Sequence, residues 1–69
     1  MELNEIKKAL YKEKPLAKVI TETNEHKGYV CGLENGATVY FHVPLSEMGE
    51  NEFDDEISAQ LLIRWIHQE

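Results

Sequence analysis

The residues of this chain with chemistry to offer are one cysteine (Cys31), three histidines (His26, His42, His67), the serine Ser46 and a run of acids from Glu47 to Glu56. A thiol or hydroxyl becomes a nucleophile when a base stands within hydrogen-bond reach and its proton is easily lost. In the hairpin register that burial favours, Cys31 points inward and His42 outward, so the two cannot form a dyad there. His26 falls in a polar turn and His67 near the C-terminus, and the sequence gives neither an evident partner. There is no Cys-x-x-Cys and no His-Glu-x-x-His, so no metal site is expected. The acidic run carries enough oxygens to attract a hard cation weakly, but it lacks the Asp-x-Asp-x-Asp-Gly loop of an EF-hand. A solvated loop also gives carboxylates no environment for acid–base catalysis. The expectation is a non-enzymatic protein with no catalytic residue, no metal and no cofactor.

The stretch from Gly28 to Pro44 positions most of these groups, and it reads as a β-hairpin. Two β-branched and aromatic runs flank Leu33-Glu34-Asn35-Gly36, and Asn-Gly between such runs is a strong hairpin signal. Two registers compete. If Asn35-Gly36 is a tight two-residue turn, Cys31 faces Tyr40 and Tyr29 faces His42. If Glu34-Asn35-Gly36 is a three-residue loop, Gly36 takes the left-handed position of a bulged type I turn. Leu33 then faces Ala37, and Cys31 faces Val39. The second register gathers Tyr29, Cys31, Leu33, Ala37, Val39, Phe41 and Val43 on one face. It leaves Val30, Gly32, Thr38, Tyr40 and His42 on the other. A slip of one residue exchanges the faces, so burial selects the register that separates apolar from polar.

Around the hairpin, Leu3, Ile6 and Leu10 fall at helical spacing over residues 3–12, and Pro15 stops the helix. Residues 16–23 read as a first strand, and residues 24–28 as a polar turn. Pro44 closes the third strand because it cannot donate to a ladder. From Leu45 to Phe53 the chain reads as an acidic loop. Asp54 or Asp55 then caps a second helix running to about His67, with Trp65 in the core. The apolar residues of that helix spread over about 200° of the wheel, wider than the stripe of about 100–140° that usually serves a single small sheet. The expected fold is one α+β domain over residues 1–69. It is a two-layer sandwich of a three-stranded antiparallel meander with two helices on one face, in the order α-β-β-β-α.

Sixty-nine residues bury a small core, and stability of about 3–5 kcal/mol is expected. The net charge is −6 and it is unevenly placed. Up to Glu34, six lysines cancel six glutamates; beyond it Arg64 alone stands against seven acids, six of them between Glu47 and Glu56. The N-terminus carries no secretory pattern, and no apolar run approaches the ~20 residues of a membrane span. With a single cysteine, a reducing cytoplasmic setting is expected, with no membrane partner.

The order helix-strand-strand-strand-helix resembles the double-stranded-RNA-binding domain. That resemblance implies a lysine cluster at the start of the second helix, where this chain has Asp54, Asp55 and Glu56. The run from Leu33 to Val43 also looks like strand pairs of oligonucleotide-binding barrels, which implies five strands. Tyr40 and His42 on the outer sheet face suit base stacking, but no lysine or arginine is interleaved with them. The charge balance therefore favours a protein partner over nucleic acid. The expected activity is that of a small acidic regulatory or adaptor protein that binds another protein. It can pair with a second copy through a sheet edge, or imitate nucleic-acid charge. The expected contact residues are Glu47, Glu50, Glu52, Tyr40, His42 and Ile63. The alternative is a nucleic-acid-binding module using the outer face of the sheet.

Overall fold

In the computed structural model, which describes residues 2–47 and 54–68, helix α1 spans Leu3–Glu13. Ile6 and Leu10, one turn apart, are its buried residues, while Leu3 at the helix start stays half exposed. The helix ends where Lys14 turns into the left-handed region (φ 49°) and its N–H returns to the Leu10 carbonyl at 3.1 Å. Pro15 follows and prevents another turn.

Three strands then meander as the sequence predicts: β1 (Leu16–Glu22), β2 (His26–Gly32) and β3 (Thr38–Pro44), each antiparallel to the next. The β2–β3 hairpin takes the bulged register, with Cys31 opposite Val39 and Tyr29 opposite Phe41. The Leu33 N–H bonds the Ala37 carbonyl at 2.8 Å, and Gly36 sits at φ 90°, a conformation glycine adopts without strain. The Asn35 side-chain oxygen accepts from the Ala37 N–H at 2.9 Å and fixes the loop. Tyr29, Cys31, Leu33, Val39, Phe41 and Val43 are buried as that register demands.

The α+β class stands, but the sheet has five strands rather than three, and the second helix expected over 54–67 is not an α-helix. In its place the chain forms β4 (Glu56–Ser58), a 3₁₀ helix (Ala59–Trp65) and β5 (Ile66–Gln68). β4 pairs with β1 and β5 with β3, giving the order β4-β1-β2-β3-β5, so this one segment runs from one edge of the sheet to the other. Ala59, Leu62 and Trp65 are the buried residues of the 3₁₀ helix, spaced by three, and three residues per turn stacks them on one side. A period of 3.6 would keep the same three residues within about 120° of the wheel, and Ile57, Leu61 and Ile63 beyond them give the expected helix its excessive apolar width.

The caps proposed for that helix serve the sheet instead. The Asp55 carbonyl accepts from the Val19 N–H at 2.9 Å, and the Asp54 carbonyl accepts from the Tyr29 hydroxyl at 2.9 Å. The Ala59 N–H likewise donates to the Pro15 carbonyl at 2.9 Å. The core thus lies between the inner sheet face, α1 and the 3₁₀ helix, which also touch each other. Lys27 enters this inner face at its end, 8% exposed, with its amine 3.8 Å from both Glu22 and Asp55. A lysine tolerates such burial when carboxylates accompany it.

Candidate binding face

The hairpin register that sends the apolar residues inward sends Val30, Tyr40 and His42 outward, and it carries His26 to the same side. Gly28 lies opposite His42, Val30 opposite Tyr40, and His26 opposite Pro44. On the far side of β3, the pairing of β5 sets His67 opposite Tyr40. The consequence is a row of rings. His42 stands at its centre, 4.2 Å from the ring of His26, 5.7 Å from His67 and 6.3 Å from Tyr40, all mutually tilted. Three strands, β2, β3 and β5, each contribute to it. His42 and His67 are exposed, while His26 and Tyr40 are half-buried.

Tyr40 is held by what lies beneath it. Its hydroxyl is 3.4 Å from that of Thr21 on β1, and its ring lies across Gly28 on β2. A methyl group on Gly28 would run into both hydroxyls, so the absence of a side chain there lets the tyrosine lie down on the sheet. Fixing the ring in this way reduces the ordering cost of any partner it meets.

The row runs into a groove of about 350 Å³ at the end of the β2–β3 pair, with walls formed by Asn24, Glu25 and His26 on one side and Pro44, Leu45 and Ser46 on the other. The walls are pinned together by the bond from the Leu45 N–H to the Glu25 carbonyl at 2.8 Å. Within the turn, the Thr23 hydroxyl accepts from the Glu25 N–H at 3.2 Å and the His26 N–H at 3.0 Å. The groove is therefore shaped by one backbone bond and the Thr23 side chain, neither of which depends on a ligand.

The remaining expected contact residues fall elsewhere. Glu47 ends the short 3₁₀ turn Leu45–Glu47, and its carboxylate accepts from the Trp65 indole N–H at 3.5 Å. Trp65 is buried, as expected, with the Arg64 guanidinium 4.6 Å over its ring. Ile63 is half-buried and packs against the core, so much of its surface is already used by the fold. Glu50 and Glu52, with Met48 and Phe53, lie outside the described residues. Cys31 points into the core, and burial, aided by the charge of Glu13, pushes its thiol up to about 11. No group of three metal-ligating side chains converges among the described residues.

Sequence reasoning placed Tyr40 and His42 on the outer face, where they lie, but set His26 aside as a turn residue and His67 as a terminal one. His26 was within reach: continuing the bulged register outward from Leu33 and Ala37 leads directly to His26 opposite Pro44. His67 required β5, which the helical reading of residues 54–67 hid. The chain matches no protein-family model, no curated protein and no solved structure. Among the described residues no helix is long and apolar enough to cross a membrane.

Proposed function

We propose that this is a small acidic, non-enzymatic binding protein of regulatory or adaptor type whose outer sheet face receives another protein. The observation that carries the reading is the row of rings, His26, His42, His67 and Tyr40, drawn from three strands and left at the surface. The core is built from other residues, and amphipathic rings gathered on a sheet, one of them the anchored Tyr40, are the kind of surface that anchors protein partners. The inward thiol of Cys31 supports a non-catalytic reading, since a thiol pushed up to about 11 is a poor nucleophile. The acidic charge between Glu47 and Glu56 would raise the encounter rate with a basic partner. We place the protein in the cytoplasm, where a lone cysteine stays reduced.

The experiment compares immobilised wild type with a His42→Ser/His67→Ser variant, followed by purification of whatever the wild type retains and direct calorimetric titration. Both positions are exposed, so melting should be unchanged within about 0.5 kcal/mol of stability. A partner bound by wild type and lost by the variant supports the reading; one bound equally by both overturns it. Sedimentation of the purified protein tests the homodimer version, in which the second copy itself is the partner. Its sheet edges, β4 and β5, have three residues each, a short template for edge pairing.

The second reading, a nucleic-acid-binding module on the same face, draws on the capacity of such rings to stack bases. Its weakness is charge. Lys18 on this face is bridged to Glu56 at 3.6 Å, and the ring row carries no lysine or arginine. Salt-sensitive oligonucleotide binding that disappears with His42→Ser/His67→Ser would favour it.

A further inference from the structure

We propose that the groove between the β1–β2 turn and the end of β3 takes an arginine side chain from a basic segment of the partner protein. This inference rests on the protein-binding reading above and names the chemistry of the partner. Three observations support it. First, the six lining residues include one acid, Glu25, and no lysine or arginine. They belong to a chain of net charge −6. Second, the groove shares His26 with the ring row, and the His26 and His42 rings lie 4.2 Å apart beside it. A guanidinium is flat and weakly hydrated, so it stacks on such rings and on apolar walls like Pro44 and Leu45, while its edge donates to a carboxylate. Arg64 already lies over the Trp65 ring at 4.6 Å in this protein. Third, the shape is built before any ligand arrives. The Thr23 hydroxyl and the Leu45–Glu25 backbone bond hold both walls, and a preformed groove of this size spends little affinity on ordering.

A lysine satisfies the charge but not the stacking, because its ammonium is compact and strongly hydrated. The proposal therefore predicts discrimination between two cations, which simple attraction to an acidic protein does not.

The test titrates isotope-labelled full-length protein with three short peptides, Arg-Gly repeats, Lys-Gly repeats and Glu-Gly repeats of equal length, and follows the amide resonances. The Arg peptide should shift residues 24–26, 42, 43, 45 and 46 first and bind about five- to tenfold more tightly than the Lys peptide, with the Glu peptide inert. Glu25→Gln should weaken the Arg peptide about fivefold at low salt. His26→Ala should bring it down to the level of the Lys peptide. If His26→Ala disturbs the hairpin, the exposed turn position Glu25 and the peptide comparison still decide the matter. Equal affinity for Arg and Lys peptides, or shifts centred on residues 54–56 with no effect of Glu25→Gln, would overturn the proposal. If the Arg peptide does not bind while a partner is still lost on His42→Ser/His67→Ser, the groove inference falls and the protein-binding reading survives.

Discussion

Leu61 and Leu62 are adjacent leucines with opposite fates, and truncating each in turn tests the least expected part of the fold. Leu62 is completely buried, facing the core between Ala59 and Trp65, whereas Leu61 is 57% exposed. Leu62→Ala removes buried methyl groups and leaves a cavity, at a cost of about 2–5 kcal/mol. A domain of this size has only about 3–5 kcal/mol to lose, so most of the variant should be unfolded or close to its midpoint without denaturant. Leu61 has removed less than half of its surface from water. Full burial of a leucine contributes about 1.5–3 kcal/mol, so Leu61→Ala should cost at most about 1 kcal/mol. Urea unfolding followed by the fluorescence of Trp65, the single tryptophan, reads both variants, with far-ultraviolet circular dichroism as a second probe. On an α-helix both leucines would fall within the broad apolar face, and the contrast between them would be smaller. Equal losses, or a greater loss at Leu61, would refute the strand–3₁₀–strand assignment of residues 56–68.

Three further results are expected. Gly28→Ala should cost about 1–3 kcal/mol, because the added methyl meets the hydroxyls of Thr21 and Tyr40; thermal melts of Gly28→Ala, Tyr40→Phe and the double variant should show part of that cost relieved in the double. Tyr29→Phe loses the bond to the Asp54 carbonyl and about 1 kcal/mol. Burial first, then the charges of Asp55, Asp54 and Glu22, raise the Tyr29 phenol from 10.0 to about 12, so its contribution is intact below pH 10 and is lost as the pH climbs toward 12. That shift corresponds to about 2–3 kcal/mol at most, and urea titrations across this range should show a shallower alkaline decline in Tyr29→Phe. Cys31, buried and pushed up to about 11, should resist a chromogenic disulfide reagent at pH 8, with a labelling rate that follows global unfolding; rapid labelling of native protein would place the thiol at the surface.

The parts of this fold that were legible in the sequence are those where local chemistry and burial agree. Asn35-Gly36 marked the turn, and the alternation from Leu33 outward selected the register found in the structure. The stop at Pro15 and the inward positions Ile6 and Leu10 followed from proline sterics and helical spacing. Residues 56–68 resisted because β4 and β5 are each three residues long, too short to establish an alternation, while the intervening run is rich in helix formers. The decisive cue was present but faint. Ala59, Leu62 and Trp65 suit an α-helical stripe as well as a three-residue period, and only the surplus apolar width added by Ile57, Leu61 and Ile63 marked the α-helical reading as wrong. In the candidate site the outward tyrosine and central histidine were visible for the same reason the hairpin was. Their neighbours His26 and His67 depend on continuing the register and on the closure of the sheet.

That dependence ties the candidate site to the core. His67 reaches the ring row because β5 pairs with β3 through Val39, Tyr40 and Phe41, and β5 is delivered there by the 3₁₀ helix whose buried side holds Ala59, Leu62 and Trp65. The hairpin alone supplies Tyr40, His42 and His26, but the third imidazole arrives only when the chain has crossed from the β1 edge to the β3 edge. Trp65 lies at the hinge of this arrangement. It is buried, its indole reaches Glu47 after β3, and the residues that follow it are β5. Core packing under the sheet thus determines whether the outer face is complete, so a destabilising change at Leu62 or Trp65 should displace His67 from the ring row without touching a residue that lines it, and so weaken the proposed binding. A short edge strand is among the first elements to open in a small domain, and His67 is therefore the member of the ring row that depends most directly on the packing of the 3₁₀ helix.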